Sequence, residues 1–173
     1  MKPGSPSRPA TSGAPRIAVV GGGAADDEAL ALAESVGRRL GTAGAVLICG
    51  GRSGVMAAAA RGCREAGGLT LGILPGEDAA ASPPNEWIDV PVFTGAGQGR
   101  NLAVVLSADA VIAVGGGWGT LSEIALARKH SRPVVVLGDW RLEVSGRALD
   151  DELVRVPTAG EAVAQALELA GGD

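Results

Sequence analysis

Two short stretches of this 173-residue chain combine glycine with side chains able to bind or transform an anion. G-G-R-S-G-V-M, residues 50–56, sets Arg52 among glycines. V-G-G-G-W-G-T-L-S-E-I-A, residues 114–125, carries Trp118, Thr120 and Glu123. A glycine turn leading into a helix brings backbone N–H groups close to a bound anion, and the helix N-terminus adds partial positive charge. A third glycine run, Gly21-Gly22-Gly23, follows the apolar stretch 16–20. One such turn is a weak signal, because tight strand-to-helix turns use glycine for steric reasons alone. By spacing, Thr120 and Glu123 read as a capping box, T-x-x-E, at a helix start. Trp118 is a large aromatic between glycines, hard to bury there, and reads as a ligand-stacking surface or a subunit contact. Arg52 reads equally as a ligand contact or as an ion-pair or subunit bridge, and Met56 as core packing.

Several chemistries are excluded by what surrounds these residues. The first glycine turn is not G-x-G-x-x-G, no acidic residue ends the second strand, and no G-x-x-x-x-G-K-[ST] is present, which argues against NAD and ATP. Cys49 and Cys63 lack metal-ligand spacing and the single His130 completes no set with them, so no metal site is expected. A formal net charge of -4 argues against an extended nucleic-acid surface. No stretch has the roughly 18 apolar residues of a membrane span, and no secretion signal is seen, so a cytoplasmic location is expected. With one Phe, three Trp and no Tyr, the core must be Val, Leu, Ile and Ala.

Short β-branched runs alternating with amphipathic segments must position the glycine turns. Strands are expected at 16–20, 45–49, 69–75, 108–114, 133–137 and 153–157, with a further one at 87–93 placed toward an edge or a bulge by Pro91. Helices are expected at about 26–40 (stopped by Gly41), 54–66, 101–107, 120–130 and 158–170, the last opened by Thr158 and Glu161 as a capping box. Continuous apolar strands separated by helices indicate a parallel sheet covered on both faces. The expected fold is α/β, a Rossmann-like doubly wound sheet, in one domain over 16–173, behind a flexible proline-rich tail at 1–15. The three glycine turns then share the carboxyl edge of the sheet, where such folds bind ligands.

The two glycine motifs, in this order, resemble those of the LOG-like family, the cytokinin-activating phosphoribohydrolases formerly labelled lysine decarboxylases. Its hallmarks are P-G-G-R-x-G-x-M, matched over Gly50–Met56 with Cys49 in the proline's place, and P-G-G-x-G-T-x-x-E, matched over Gly116–Glu123 with Gly115 in the proline's place. The G-G-G-x-G-T-L-S-E-I variant, S-A-D-A-V-I-A-V and the pair Arg100-Asn101 resemble most closely a subgroup that includes molybdenum cofactor carrier proteins. The resemblance covers about residues 16–170.

The resemblance implies an N-glycosidase that cleaves a nucleoside 5′-monophosphate to free base and ribose 5-phosphate, with Arg100 and Glu123 catalytic. Gly22, Gly51, Arg52, Asn101, Gly116, Gly117, Trp118, Gly119 and Thr120 would hold the phosphate or ligand, with neither metal nor cofactor required for hydrolysis. The alternative it implies is a non-catalytic carrier or binding protein for molybdenum cofactor or a related phosphorylated pterin. Ser122 and Asn101 stand where the hydrolases have a glutamate and a lysine or histidine, which favours the carrier; the presence of Arg100 and Glu123 favours the enzyme. The expected partners are a small phosphorylated molecule and a second copy of the chain, not nucleic acid or membrane.

Overall fold

The computed structural model describes residues 13–138, 140–149, 151 and 153–171. Most of the segment expected to be a flexible tail therefore lies outside the described residues. Within its last part, the Pro15 carbonyl accepts from the Val46 N–H at 2.8 Å.

Among the described residues nine strands and five α-helices follow in order: β1 (Arg16–Gly21), α1 (Asp27–Thr42), β2 (Val46–Cys49), α2 (Val55–Glu65), β3 (Leu69–Leu74), β4 (Val90–Phe93), α3 (Arg100–Leu106), β5 (Ala110–Val114), α4 (Trp118–Lys129), β6 (Val134–Leu137), β7 (Glu143–Val144), β8 (Arg147–Ala148), β9 (Val154–Val156) and α5 (Ala159–Ala170). Seven strands form one parallel sheet in the order β4-β3-β2-β1-β5-β6-β9. Chain progression runs outward from β1 in one direction and from β5 in the other, so the topological switch point lies between these two strands. The expected doubly wound fold is present.

Strand residues alternate between the two faces. Ile17, Val19, Leu47, Ile112, Val114 and Leu137 pack against α1, α2 and α5. Ala18, Val20, Ile48, Ala113 and Val136 pack against α3 and α4 through Val104, Val105, Ile124 and Ala127. Both cysteines sit in the first of these layers, fully buried and unpaired by disulfide, as small apolar residues do. Met56 packs against the same layer.

Some boundaries differ from expectation. Helix α1 runs through Gly41 to Thr42 instead of stopping, because Gly37 and Gly41 face α2: a Cβ on Gly37 would lie 1.9 Å from the Ala59 carbonyl oxygen. The left-handed residue that ends this helix is Gly44, at φ 72°. Part of the alanine-rich stretch 56–60 is thus used for close packing within the chain. Pro91 does sit in an edge strand, β4, but that strand begins at Val90, leaving Trp87–Asp89 outside it. The β7–β8 hairpin was not anticipated; Ser145 and Gly146, at φ 52° and 76°, form its two-residue turn.

Candidate functional site

The turn after β5 differs from the expected capping box. Helix α4 begins at Trp118, two residues earlier than the spacing suggests, with Gly117 as its N-cap and no side chain capping it. Thr120 is then the third helical residue, and Glu123 lies more than a turn from the end, where it cannot cap. The early start follows from the backbone. Gly115 and Gly116 take φ values of 50° and 117°, which reverse the chain directly into the helix. Gly116 has a steric reason as well, since a Cβ there would fall 2.2 Å from Thr120 Oγ1. Gly115 stands where the family's hallmark has proline, whose ring holds φ near −65°, so this turn is built differently from a proline-led one.

Five successive backbone N–H groups, residues 116 to 120, have no acceptor among the described residues. The first helical turn carries no acid. Thr120 is 2% exposed and its hydroxyl has no partner. Trp118, on the same turn, is 87% exposed.

Arg100 enters from the opposite helix, as the first residue of α3 behind a 3-10 turn at Gly97–Gly99. Its guanidinium lies across Gly50, where a Cβ would come within 2.4–2.7 Å of it. Arg100 and Glu123 are 8% and 7% exposed, with Nη1 and Oε1 3.6 Å apart, and Nε and Nη1 lack hydrogen-bond partners. Burial pushes the Glu123 carboxyl up to about 7, with Arg100 pulling it partly back. Burial likewise lowers the Arg100 pKa; Glu123 opposes that shift and the charge of Arg52 adds to it. For both partners, desolvation outweighs an ion pair that is not a close hydrogen bond. The result is a poised pair: a buried cation with unfilled donors beside a carboxyl that titrates near neutrality.

The remaining expected site residues fall into two groups. Asn101 Nδ2 donates to Ser122 Oγ at 2.9 Å, and Ser122 Oγ donates to the Gly119 carbonyl at 2.7 Å, joining α3 to the start of α4. The two positions that depart from the hydrolase pattern are therefore in contact, as a neutral pair. Arg52 is exposed beside the cleft, its carbonyl accepting from Asn85 Nδ2. Gly51 has both polar groups engaged, its N–H on Cys49 Sγ at 3.3 Å and its carbonyl on the Asn85 N–H at 2.9 Å. The Gly22 carbonyl accepts from the Val55 N–H, tying the first turn to the second. The Cys49 thiol beside the pair is pushed up to about 11 by burial, which removes it as a nucleophile at neutral pH.

Trp140, for which the sequence suggests only packing or an interface, donates its Nε1–H to the Gly115 carbonyl at 3.1 Å. No motif signals this contact, which joins residues 25 apart. Ser122 was noted as a departure, but its bridging role needed the register of α3 against α4.

Strand order and glycine turns at the switch point define a Rossmann-like doubly wound α/β protein, in which ligands are expected at the carboxyl ends of β1 and β5. The chain matches the SLOG cluster4 family over residues 14–164 and belongs to that family, within the LOG-like superfamily. An uncharacterised protein of Archaeoglobus fulgidus is 43% identical over 122 residues, 70% of this chain and 79% of that one. The structure of the molybdenum cofactor binding protein from Rippkaea orientalis superposes with a TM-score of 0.79 at 36% identity, covering 90% of this chain and 96% of the other. The molybdenum cofactor carrier protein of Chlamydomonas reinhardtii superposes with a TM-score of 0.77 at 32% identity, covering 92% and 99%. Among the described residues no helix is long and apolar enough to cross a membrane.

Proposed function

We propose that this protein binds a small phosphorylated heterocycle, of the molybdenum cofactor (phosphorylated pterin) class, at the turn that opens α4, beside Arg100 of α3. The observation that carries this reading is the run of unpartnered amides at 116–120 beside an exposed indole. A phosphate monoester satisfies several of those N–H groups and the Thr120 hydroxyl at once, with the α4 dipole adding attraction. A flat ring system carried by the same ligand has the exposed Trp118 indole to stack on. Arg100 supplies a cation whose donors are unfilled in the free protein. The neutral Asn101–Ser122 contact favours binding over turnover, and the molybdenum cofactor binding protein and carrier protein that share the fold at over 30% identity support it.

A second reading rests on Arg100 and Glu123 being brought together, namely hydrolysis of a nucleoside 5′-monophosphate. Water would attack C1′ as the C1′–N bond breaks; the base leaves with the bonding electrons and a proton, and ribose 5-phosphate remains. Glu123 would stabilise the positive charge that builds on the ribose or take the proton of the attacking water, and Arg100 would support the departing base. Phosphate anchoring would hold the scissile bond against this pair. Neither metal nor cofactor enters these steps.

One experiment separates the two. The purified protein is incubated with AMP, other nucleoside monophosphates and isopentenyl-AMP, and free base is measured by chromatography. The carrier reading expects no release, together with stoichiometric molybdenum and pterin absorbance retained from a cofactor-competent host. Base release that disappears in Glu123→Ala establishes the enzyme instead. A homo-oligomer is part of the same proposal, and light scattering that returns the monomer mass refutes it.

A further inference from the structure

The Gly115–Gly117 turn is held by the segment that follows β6. Both polar groups of Gly115 are bound by the segment that leaves β6. Its N–H donates to the Leu137 carbonyl at 3.1 Å, and its carbonyl accepts from Trp140 Nε1 at 3.1 Å. Gly138, at φ 116°, lies beside Gly115: a Cβ there would stand 4.0 Å from the Gly115 Cα and N. The Trp140 carbonyl in turn accepts from Arg155 of β9, at 3.0 Å from Nη2 and 3.4 Å from Nε. The ends of β5 and β6 are thus tied together at Gly115, and β9 reaches the tie through the Trp140 carbonyl.

We infer that Trp140 is a positioning residue for the anion cradle. In a planar trans peptide the C=O and N–H point in opposite directions. Anchoring the Gly115 carbonyl on the indole fixes that peptide plane, and so aims the Gly116 N–H away from Trp140. It is the first of the five unpartnered amides. A flanking glycine at φ 117° offers little resistance to a peptide flip, which would replace that donor by a carbonyl oxygen and repel an anion. The indole donor supplies the restraint that the glycines lack. Ligand affinity therefore depends on a side chain that makes no ligand contact.

This inference rests on the anion-binding reading of the 116–120 turn, and its test separates the two. In ¹⁵N-labelled protein, inorganic phosphate and AMP are titrated while the amide signals of residues 115–120 and the Trp140 indole N–H are followed. Trp140→Phe, which keeps the ring bulk and removes the donor, should shift the Gly116 and Gly117 signals before any ligand is added. It should also weaken phosphate and AMP binding about three- to tenfold, the worth of one neutral hydrogen bond. Trp87→Phe, the same chemical change at a half-buried tryptophan elsewhere, should leave both unchanged. Where Trp140→Phe is poorly folded, Arg155→Ala keeps the indole and frees its backbone, with the same direction and smaller amplitude. Wild-type affinity and unshifted 116–117 signals in Trp140→Phe overturn the inference. An absence of phosphate or AMP shifts at 116–120 in the wild type overturns the anion reading itself, recognisable because it precedes any mutation.

Discussion

Two glycine turns flank the switch point, one after β1 and one after β5, on adjacent strands with the same connection into a helix. Their chemistry is opposite. The β1 turn opens α1, where Asp26 caps the helix by accepting from the Ala29 N–H at 2.8 Å, and Asp27 and Glu28 fill the first turn. The Ala29 amide is answered by the Asp26 carboxylate, and the three acids at residues 26–28 make the field of this turn repel anions. The β5 turn opens α4 with a glycine N-cap, no acid in the first turn and a run of unanswered amides. Glycine content therefore does not distinguish a phosphate cradle from a tight turn; the residues of the first helical turn do.

The comparison can be broken most sharply by making the second turn resemble the first. Gly119 lies in the first turn of α4 with open space where a Cβ would be. Gly119→Asp should therefore fold and stabilise the helix end while placing a carboxylate among the amides. Repulsion of ~4 kcal/mol at 4 Å and an effective dielectric of 20 implies a loss of phosphate or AMP affinity of about 100-fold or more. Calorimetric titration giving wild-type affinity for this variant refutes the assignment of the cradle.

Next in size is the pH response of the buried pair. The fold holds Glu123 at about 7, above its ordinary value of 4.5, and so favours the protonated form. That stabilisation is complete below about pH 4.5 and is lost as the pH rises to and beyond about 7. Glu123→Gln should flatten this fall, exceeding the wild type by on the order of 1–3 kcal/mol at about pH 8 and matching it near pH 4.5. Urea unfolding at the two pH values measures it, and parallel curves would contradict the burial argument.

Trp118→Ala addresses the ring half of the ligand. Because the side chain is exposed, stability should stay within about 0.5 kcal/mol. Affinity for a ring-bearing phosphate should fall about five- to tenfold, while inorganic phosphate binds unchanged. Equal losses for both would place Trp118 in the cradle rather than over the ring. The smallest effect on binding is expected on the other side of the comparison. Asp26→Ala removes the α1 cap at a cost of about 1 kcal/mol, read in thermal melts, with ligand affinity kept within about twofold.

The alternation of apolar runs and amphipathic segments made the sheet and its helices legible, because period-2 and period-3.6 patterns record which face of each element is buried. The three glycine turns were placed on the correct edge for the same reason. Errors arose where tertiary contact overrode local spacing. Gly41 reads as a stop but serves as a close-packing surface against α2, and Thr120-x-x-Glu123 reads as a cap although the helix starts two residues before it. The β7–β8 hairpin had a legible signal, a Ser-Gly pair suited to positive φ, between strands too short to announce themselves.

By itself, the sequence determined the α/β class, the order of the elements and the residue types available to the cleft. These are properties of local pattern and composition. Tertiary structure decided that Arg100 lies on Gly50 and meets Glu123, and that Asn101 meets Ser122. It also decided that a tryptophan two strands away from β1 restrains the turn. Each of these depends on which side chains and carbonyls arrive at one point from distant parts of the chain. Desolvation and hydrogen-bond satisfaction are set there by neighbours in space, which spacing along the chain does not record.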